Sequence, residues 1–441
     1  MKKKLLSLFA VITMATTFGQ EVYTTQNAGI ALASAGVRDF SIVDAQTSWV
    51  YFYDGSGANT YPRYVGVTTN GGGAWNTRLV SAIPSTALIS DIYGVSGTHG
   101  FIVTAPTGTN GTANGLWKTE NGGQNWTKIQ GVFGNQSFGN LIHIWPNGTG
   151  LVIGDPVNNR YEMYKTTDGG ANWSTLTTAP TPLNADEYGY VGGKVIFENN
   201  IWLTSNTGRI LHSADYGVTW NSYSAPIDDF AGAESNGSMS FSSATYGLLV
   251  DNFSLLWYTE DAGRNWDIKD AVNYFDGDVK HVPGTANTFV TTGISQESSL
   301  GYGTAYSHDG GSTWTQLDSG DQRGAIGVKD CATMFVGHFT SSAQGAGGIL
   351  KLNSPIPGCE TMGLDQVSTN KVELKAVVSN KILNVVSNKE IKEVLVVDMT
   401  GKSVAKSEAI SVNVAQLTPG TYVARVAYVD GAFGTVKFVV K

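Results

Sequence analysis

The chain has 441 residues, with 36 acidic against 28 basic side chains and a formal net charge of −8 at pH 7. It contains 54 glycines and 11 tryptophans but only two cysteines. An acidic surface opposes binding to a phosphate backbone, so we expect no nucleic-acid partner.

The first nineteen residues have the pattern of an export signal. Lys2, Lys3 and Lys4 precede the apolar run LLSLFAVITMA, and small or polar residues follow as far as Gly19. The apolar run is too short to cross a bilayer as a helix, and this order is typical of a signal peptide. We therefore predict a signal peptide at 1–19, export through the periplasm, and no transmembrane segment in the mature chain.

One octet recurs six times along the following chain. Its copies are TTNGGGAW (68–75), TENGGQNW (119–126), TTDGGANW (166–173), SADYGVTW (213–220), TEDAGRNW (259–266) and SHDGGSTW (307–314). Their last residues, 46 to 51 positions apart, are Trp75, Trp126, Trp173, Trp220, Trp266 and Trp314. That period suits a four-stranded propeller blade. Because short β-rich runs alternate with Gly, Thr and Asn clusters, we predict an all-β propeller at 20–354.

The residue types of the octet suit a tight turn. Its fifth residue is always glycine, and its third residue is a short amide or carboxylate, namely Asn70, Asn121, Asp168, Asp215, Asp261 or Asp309. Such a side chain accepts hydrogen bonds from the turn backbone, and glycine tolerates the positive φ that closes the turn. The pattern resembles the Asp-box repeat of sialidases, sortilin-type receptors and photosystem II assembly factors. In that family the boxes lie away from the functional mouth, which implies a structural role here.

The repeat spacing predicts seven blades. The mean tryptophan spacing of 47.8 divides the 334 residues from Glu21 to Ser354 into seven units. After the sixth octet, GAIGVKD, TMFVGHFT and GGILKLN supply three more strands without a fourth. We predict that EVYTTQNAGIAL (21–32) provides the missing strand and closes the ring, which would remove exposed sheet edges. Six blades with an unrelated appendage are the alternative.

The C-terminal part differs in composition from the propeller. Residues 21–365 carry 15 basic and 30 acidic side chains, whereas 366–441 carry 10 basic and 6 acidic ones and no tryptophan. The Pro- and Gly-rich stretch 355–365 is therefore predicted to be a linker. Seven short alternating runs follow it, which indicates a small β-sandwich at 366–441.

Three motifs of this tail resemble a known domain family. They are VLVVDMTGKSV (394–404), LTPGTYVARV (417–426) and GTVKFVVK (434–441). They are similar to the C-terminal sorting domain of type IX secretion cargo in Bacteroidota. This resemblance implies the type IX secretion machinery as a partner and delivery to the outer-membrane surface or the medium. The stretch AVVSNKILNVVS (376–387) departs from the family's usual Tyr-Pro-Asn-Pro-like opening, and a generic adhesive sandwich is the alternative.

Two cysteines, Cys331 and Cys359, flank the predicted end of the propeller. An exported chain crosses an oxidising compartment, so we predict a disulfide between them. It would close a loop of 28 residues and stabilise the fold by about 3 kcal/mol. Two buried free thiols are the alternative.

The sequence contains no recognisable catalytic, cofactor or metal motif. Its six histidines are scattered, and it has neither a Gly-x-Ser-x-Gly elbow nor a phosphate-binding loop. The Asp-box resemblance suggests a sialidase, but the Arg-Ile-Pro signature of that family is absent, and Arg63 in YPRY lies on the wrong side of its proline. A xyloglucanase-like hydrolase would need two carboxylates across a cleft, and enzymes of that kind use two propellers. We expect no cofactor and no metal.

One blade departs from the others at LVIGDPVNNRYEMYKTTDGGANW (151–173). Its Gly-Asp-Pro motif resembles a blade of single-propeller, assembly-factor-like proteins, and ADEYGYVGG (185–193) follows at the next inner strand. Asp155, Arg160 and Glu187 are therefore our candidate ligand-binding cluster near the mouth. The alternative is that Asp155 caps a turn and Arg160 pairs with a neighbouring acid.

The sequence as a whole favours an exported binding or scaffold module. Its ligand, whether an extracellular glycan, a peptide or a partner protein, is expected at the central mouth of the propeller. A secreted glycoside hydrolase acting on extracellular glycans is the alternative.

Overall fold

A computed structural model describes residues 21–440 except 59, 109–110, 135, 233, 295–299, 361–373, 388, 399–401 and 430–432. The predicted signal peptide at 1–19 lies outside the described residues. The chain divides into two compact units, one ending at Met362 and one beginning at Gly363. This division falls within the stretch 355–365.

The first unit consists of 28 described β-strands and one short 3₁₀ helix, Gly111–Ala113. Its strands are β1 (Tyr23–Asn27), β2 (Ala35–Ile42), β3 (Ser48–Asp54), β4 (Tyr64–Thr68), β5 (Asn76–Leu79), β6 (Ala87–Gly94), β7 (Gly100–Pro106), β8 (Gly115–Thr119), β9 (Thr127–Ile129), β10 (Gly139–Ile144), β11 (Gly150–Pro156), β12 (Tyr161–Thr166), β13 (Ser174–Thr175), β14 (Gly189–Phe197), β15 (Asn200–Ser205), β16 (Arg209–Ser213), β17 (Asn221–Ser224), β18 (Gly237–Phe241), β19 (Gly247–Asp251), β20 (Leu256–Thr259), β21 (Asp267–Ile268), β22 (Asp278–His281), β23 (Phe289–Gly293), β24 (Gly303–Ser307), β25 (Thr315–Ser319), β26 (Ile326–Asp330), β27 (Thr333–Thr340) and β28 (Gly347–Leu352).

These strands form seven antiparallel four-stranded groups, which we number as blades in chain order. A single bridge between Gly36 of β2 and Phe339 of β27 also links two of these groups. Blade 1 is β2–β5, blade 2 β6–β9, blade 3 β10–β13, blade 4 β14–β17, blade 5 β18–β21 and blade 6 β22–β25. Blade 7 combines β26, β27 and β28 with the N-terminal strand β1. β1 pairs with β28 from Tyr23 opposite Leu352 to Asn27 opposite Gly348. The two ends of the propeller therefore share one sheet, as we predicted when we assigned residues 21–32 to the missing strand.

The core of the ring lies between the blades. The second strands of the blades are largely buried, which explains their apolar runs, such as GFIVTAP in β7 and NIWLTS in β15. The apolar clusters join neighbouring blades: Trp49 and Tyr51 of blade 1 pack with Ile102 and Trp126 of blade 2. Trp126 meets Trp49 edge-on, with ring centroids 6.3 Å apart. The final tryptophan of an octet thus contributes to a core shared by two blades.

All six octets form the same hydrogen-bonded turn. In the third octet, Thr166 Oγ1 donates to Asp168 Oδ1 at 2.7 Å and accepts from the Gly170 N–H at 3.0 Å. The Asn172 N–H donates to Asp168 Oδ1 at 2.9 Å. The other five octets repeat these three bonds, and the fifth-position glycine always has a positive φ, from 77° to 91°. The octets therefore use their polar side chains to build turns.

Strand direction gives the propeller two distinct faces. Each octet follows the third strand of its blade, and because neighbouring strands are antiparallel, the inner strands also end on that face. We call it the octet face. The inner strands β2, β6, β10, β14, β18, β22 and β26 begin on the opposite face, which we call the mouth face.

A disulfide joins Cys331 and Cys359, as the sequence predicted. Cys331 follows β26 and is buried, and Ile356 packs in the same apolar cluster. The Ile356 N–H also donates to the Cys331 carbonyl at 2.9 Å. The first residues of the predicted linker are therefore held against blade 7.

The second unit is a two-sheet β structure with its own core. Its strands are β29 (Leu374–Ser379), β30 (Ile382–Ser387), β31 (Ile391–Val397), β32 (Ser403–Ser407), β33 (Ser411–Asn413), β34 (Gly420–Tyr428) and β35 (Phe433–Val440). One sheet has the order β29-β30-β33 and the other β32-β31-β34-β35. Alternate residues such as Leu383, Val394 and Val426 meet in one apolar cluster, which is the arrangement that the alternating sequence predicted.

Candidate ligand-binding site

A cavity opens on the mouth face of the propeller. It has a volume of about 510 Å³ and lies where the inner strands of blades 1, 4, 5, 6 and 7 begin. Its polar lining includes Arg38 and Asp39 from β2, Ser238 from β18, and Asp278 and Lys280 from β22. We call this space the mouth cavity.

Irregular strand pairing shapes the wall of the mouth cavity. The register between β2 and β3 shifts between Val37 and Asp39, and equivalent shifts occur in blades 2, 3 and 4. The shift in blade 1 lies at Arg38. A bulge of this kind re-aims a side chain relative to the regular alternation, and it accounts for the position of Arg38 in the cavity wall.

A second cavity, the side pocket, adjoins the mouth cavity at blade 1. Its volume is about 240 Å³, and it shares Arg38, Tyr51, Tyr53 and Val191 with the mouth cavity. Tyr61 completes its aromatic lining and is 51% exposed, while Tyr53 is 36% exposed. Partly exposed aromatic rings beside a cavity can stack on an apolar or ring-shaped part of a ligand.

Two polar residues also line the side pocket, Asp54 at the end of β3 and Thr60 in the loop that follows. The Ser56 hydroxyl donates to Asp54 Oδ1 at 2.6 Å, and the Thr60 hydroxyl donates to Asp54 Oδ2. These bonds hold the pKa of Asp54 down at about 2. The carboxylate consequently organises its own loop.

Arg38 is the exposed cation that the two cavities share. Its guanidinium lies beside the buried Tyr51, whose hydroxyl donates to the Ser90 carbonyl at 2.8 Å. Among the described residues, no carboxylate forms an ion pair with Arg38 within 4 Å. Arg38 can therefore offer its fork of N–H donors to a ligand.

Charged residues also line the central channel of the ring between the mouth cavity and the octet face, a region that we call the waist. Asp39, Lys194 and Lys280 line the mouth cavity or an adjoining cavity as well as a cavity of about 250 Å³ toward the octet face. Lys194 forms an ion pair with the fully buried Asp91, which also accepts from the Ile142 N–H at 2.8 Å. Burial raises the pKa of Asp91 despite this lysine.

A second lysine of the waist, Lys280, lies near two carboxylates. Its ammonium is 3.6 Å from Asp278 Oδ1. Although burial favours the neutral amine, Asp278 and Asp39 together raise the pKa of Lys280. Asp278 also accepts from the Ser238 hydroxyl at 2.6 Å and from the Ile326 N–H at 3.1 Å. Its oxygens are thus engaged by groups of the propeller itself.

The structure brings together two of the three candidate residues from the sequence. The Gly189 N–H donates to Asp155 Oδ1 at 3.0 Å, two positions after Glu187, so both carboxylates lie where blades 3 and 4 meet. Glu187 is buried and pairs with Arg209 at 3.0 Å. Arg160 is exposed and donates to the Thr177 carbonyl instead of to an acid. None of the three residues lines the mouth cavity or the side pocket.

The residues that do line these cavities were missed from the sequence. The available signal was a charged residue within an otherwise apolar inner strand, as in GVRDF (36–40), GGKVIF (192–197) and DVKHV (278–282). The distance from such a residue to the next octet varies between blades. For that reason, only the strand pairing shows that these charges meet in one channel.

In the part of the chain that the structure describes, no group of three or more His, Cys, Asp or Glu side chains could hold a metal ion. Within the same residues, no helix has the length and apolarity needed to cross a bilayer.

Comparison with protein families identifies the role of the second unit. The family model of the secretion system C-terminal sorting domain matches residues 379–441. The C-terminal unit is therefore a sorting domain, as the three sequence motifs predicted, and it indicates export by the type IX system to the cell surface or the extracellular space. No curated protein matches the chain in sequence.

Several solved structures resemble this chain. YCF48 bound to D1 peptide is 17% identical, with a TM-score of 0.51 over 76% of this chain and 97% of that one. YCF48 from Cyanidioschyzon merolae is 15% identical, with a TM-score of 0.50 over 75% and 98%. At these identities the likeness shows the β-propeller fold alone. A GH74 xyloglucanase from Xanthomonas campestris, 15% identical over 91% of this chain and 68% of that one, has a TM-score of 0.31.

Proposed function

We propose that the propeller is an exported binding module whose ligand occupies the mouth cavity and the side pocket. The observation that carries this proposal is Arg38, an exposed guanidinium in the wall of both cavities without a described carboxylate partner. An arginine in this setting recognises a carboxylate or another planar polar group. The sorting domain would deliver this binding site to the outside of the cell.

The side pocket supports a ligand that also carries a ring or an apolar segment. Tyr53 and Tyr61 are both partly exposed there. A tyrosine offers an apolar face together with a hydroxyl, so it contributes contact area and a hydrogen bond to the same ligand. Acidic sugars and peptides with an acidic and an aromatic side chain both have this chemistry. A peptide belongs among the ligands to test because YCF48, which shares the fold, has been solved with one.

The waist argues for binding rather than hydrolysis. A glycoside hydrolase needs two carboxylates free to act on one glycosidic bond. Asp91 is enclosed with Lys194, and Asp278 is engaged by Ser238, Lys280 and a backbone N–H. These contacts favour a role of both residues in holding the ring together. A glycoside hydrolase therefore remains only the alternative function.

Binding of the full exported chain to a glycan array and to a peptide library tests the proposal. Ligands found in either screen should bind at least about tenfold more weakly to the Arg38→Ala and Tyr61→Ala variants, which corresponds to about 1.4 kcal/mol. Arg78→Ala is the matched control, because Arg78 is an exposed arginine on β5, the outer strand of the same blade. Equal losses in the Arg38 and Arg78 variants would contradict a site at the mouth.

The same ligands decide the hydrolase alternative. Each glycan that binds is incubated with the protein, and its reducing ends are counted over time. Binding without release of sugar supports the module. If the glycan is hydrolysed, and if Asp39→Asn or Asp278→Asn abolishes this turnover while Arg38→Ala merely weakens binding, the protein is a hydrolase and the binding-module proposal is wrong.

A further inference from the structure

Exposed apolar side chains concentrate on the outer strands of blade 5. Among the described residues of the first unit, twelve large apolar side chains are exposed, and four of them lie between positions 253 and 272. These four are Phe253, which is 65% exposed, Leu255, Ile268 and Val272. None of the four lines the mouth cavity, the side pocket or the waist. We call them the blade 5 patch.

Strand pairing places two residues of the patch side by side. Trp257 of β20 pairs with Ile268 of β21, so their side chains lie on one face of the blade. Leu255 comes two positions before Trp257, and the alternation of side chains along an extended chain brings it to the same face. Leu255 and Ile268 are therefore close neighbours on the outer half of blade 5.

The turn that carries Phe253 is held in place by the buried Asp251. Asp251 Oδ1 accepts from the N–H groups of Phe253 and Leu255, each at 2.9 Å, and Asp251 Oδ2 accepts from Trp257 Nε1 at 2.8 Å. These bonds fix the backbone on both sides of the turn. An aromatic side chain on a fixed turn loses less conformational freedom when a partner covers it than one on a loose loop.

A neighbouring loop fixes the same turn from the other side. The Tyr274 hydroxyl donates to the Ser254 carbonyl at 2.7 Å, and the Ser254 hydroxyl donates to Asp276 Oδ2 at 2.6 Å. The turn between β19 and β20 is thereby joined to the loop between β21 and β22, which carries Val272. Both segments lie on the mouth face. Phe253 at the tip of this turn contributes little to the core of the propeller, because most of its side chain is exposed.

Acidic side chains border the patch. Asp267 and Asp270 flank Ile268 in the chain, and Glu234 lies beside the turn, since its backbone carbonyl accepts from Asn252 Nδ2 at 3.3 Å. All three acids are exposed, and within the described ranges none of them forms an ion pair. Lys269, which lies between the two aspartates, has its ammonium 4.6 Å from the centre of a tyrosine ring instead. The patch is thus apolar with a negatively charged border.

We propose that the blade 5 patch is a docking surface for a protein partner, in which an apolar segment flanked by Lys or Arg side chains covers Phe253. Aromatic residues are enriched in the cores of protein interfaces, and opposite charges around such a core favour the correct partner. The same carboxylates oppose an anionic lipid surface. This surface is additional to the mouth cavity, and the proposal does not depend on what the mouth cavity binds.

A phage-displayed library of random peptides, selected on the full exported chain, tests the proposal. The selected peptides should combine Lys or Arg with aromatic or aliphatic residues. The strongest of them, synthesised with a fluorescent label, should bind Phe253→Ser at least about tenfold more weakly in anisotropy titrations. Val218→Ser is the matched control, because Val218 is an exposed apolar residue on the octet face, and it should leave the affinity unchanged. A selection without any peptide whose binding depends on Phe253 would overturn the proposal.

A charge reversal tests the acidic border. Asp270→Lys should weaken binding of the same peptide, whereas Glu198→Lys, at an exposed position between β14 and β15 on the octet face, should not. Arg38→Ala should also leave this binding unchanged. If every selected peptide lost affinity in Arg38→Ala and none did so in Phe253→Ser, the mouth cavity would be the peptide site, and the patch proposal alone would be wrong. Thermal melts of each variant verify that it is folded.

Two further measurements compare the protein partner with other occupants of the patch. The full chain and Phe253→Ser should have the same sedimentation coefficient, and a dimer that dissociates in the variant would replace the partner with a second copy of this chain. Neither protein should sediment with vesicles of phosphatidylcholine, with or without phosphatidylglycerol. Vesicle binding that is lost in Phe253→Ser would overturn the proposal in favour of a lipid surface.

Discussion

Tyr23 donates its phenolic hydrogen to Thr304 Oγ1 at 3.0 Å, although 281 positions separate the two residues in the chain. Tyr23 lies in β1 of blade 7 and Thr304 in β24 of blade 6. Thr304 in turn donates to Asp318 at 2.5 Å, and Arg323 binds the other oxygen of Asp318 with two nitrogens. The N-terminal strand is therefore tied to its own blade by backbone pairing and to the preceding blade by a buried polar network.

Ring closure by β1 leads to the first prediction. Deleting residues 21–32 removes the buried Tyr23, Ala28 and Ile30 and exposes the edge of β28. Because burial of a large side chain contributes about 1.5–3 kcal/mol, we expect the propeller to lose at least about 4 kcal/mol of unfolding free energy. Guanidinium unfolding curves followed by tryptophan fluorescence measure this loss.

The matched control for the deletion is Thr25→Ala, a change at an exposed position of the same strand. It should alter the midpoint very little. If the deleted protein and the control unfolded at the same denaturant concentration, closure by β1 would not matter for stability.

The closure of the ring could be predicted from the sequence, whereas the proposed ligand site could not. Octet spacing and a strand count were enough to show that blade 7 lacked a strand, because both depend on residues near each other in the chain. The position of Arg38 depends on a register shift in β2, and the pairing of Asp91 with Lys194 joins blades 2 and 4. No local pattern encodes either relationship, since neither a bulge nor a contact across the channel has a fixed spacing in the sequence.

The candidate cluster shows a similar limit. The Gly-Asp-Pro motif singled out Asp155, but Asn140, whose amide donates to the Asp155 carboxylate, carried no signal in the sequence. This contact becomes visible only in the structure, where β10 begins beside the end of β11. We assigned Arg160 to the candidate ligand-binding cluster because it is near Asp155 in the sequence. In the structure, the turn after β11 directs the Arg160 side chain to the Thr177 carbonyl.

The second prediction concerns the ion pair at the waist. Lys194→Met would leave the fully buried Asp91 without its cation, and breaking a buried pair in this way costs about 3–5 kcal/mol. Replacing both partners, as Asp91→Leu with Lys194→Met, should recover much of this loss because no lone buried charge remains. Unfolding free energies of the single and double variants measure the effect.

Lys280→Met is the control for the waist. Lys280 is more exposed than Lys194, and it lies 3.6 Å from its partner Asp278. We expect a loss of only about 1 kcal/mol in this variant. If Lys280→Met lost as much unfolding free energy as Lys194→Met, the difference in burial between the two ion pairs would not determine how much each contributes to stability.

The third prediction concerns the sorting domain. The two units have separate cores, and the family match covers 379–441. Removing residues 366–441 should leave a propeller that melts at nearly the same temperature but is retained in the periplasm. Fractionation of cells that produce the truncated and the full protein, together with thermal melts of both, gives the answer. Delivery of the truncated protein to the surface would contradict the sorting role.

The fourth prediction separates structural from functional roles of the octets. Thr166 is buried, and its hydroxyl accepts from the Gly170 N–H and binds Asp168. Thr166→Val keeps the shape of the side chain but leaves these groups unpaired, so we expect a loss of about 1–2 kcal/mol. Thr167→Val, at the exposed next position, should cost little. Asp168→Ala, like Thr166→Val, should lower the melting temperature. Binding of any mouth ligand should survive in both octet variants, and a loss of binding without a loss of stability would assign the octets a different role.

The last prediction is a pH dependence of the same turn. Hydrogen bonds from the Asn172 backbone and side chain and from Thr166 hold the pKa of Asp168 at about 2, below its ordinary value of 3.8. A carboxyl whose pKa is lower in the folded state stabilises the fold above pH 4, and this contribution disappears as the pH falls toward 2. Asp168→Asn removes the titrating group, so the melting temperature of the variant should be lower than that of the unaltered protein at pH 6 and should approach it near pH 2.

The second octet provides the reciprocal test, because Asn121 occupies the same position and makes the same bonds. Asn121→Asp should therefore gain stability at pH 6 that it loses in acid. If the two variants showed the same difference from the unaltered protein at every pH, the carboxylates of the octets would not be held by their turns in the way that these hydrogen bonds imply.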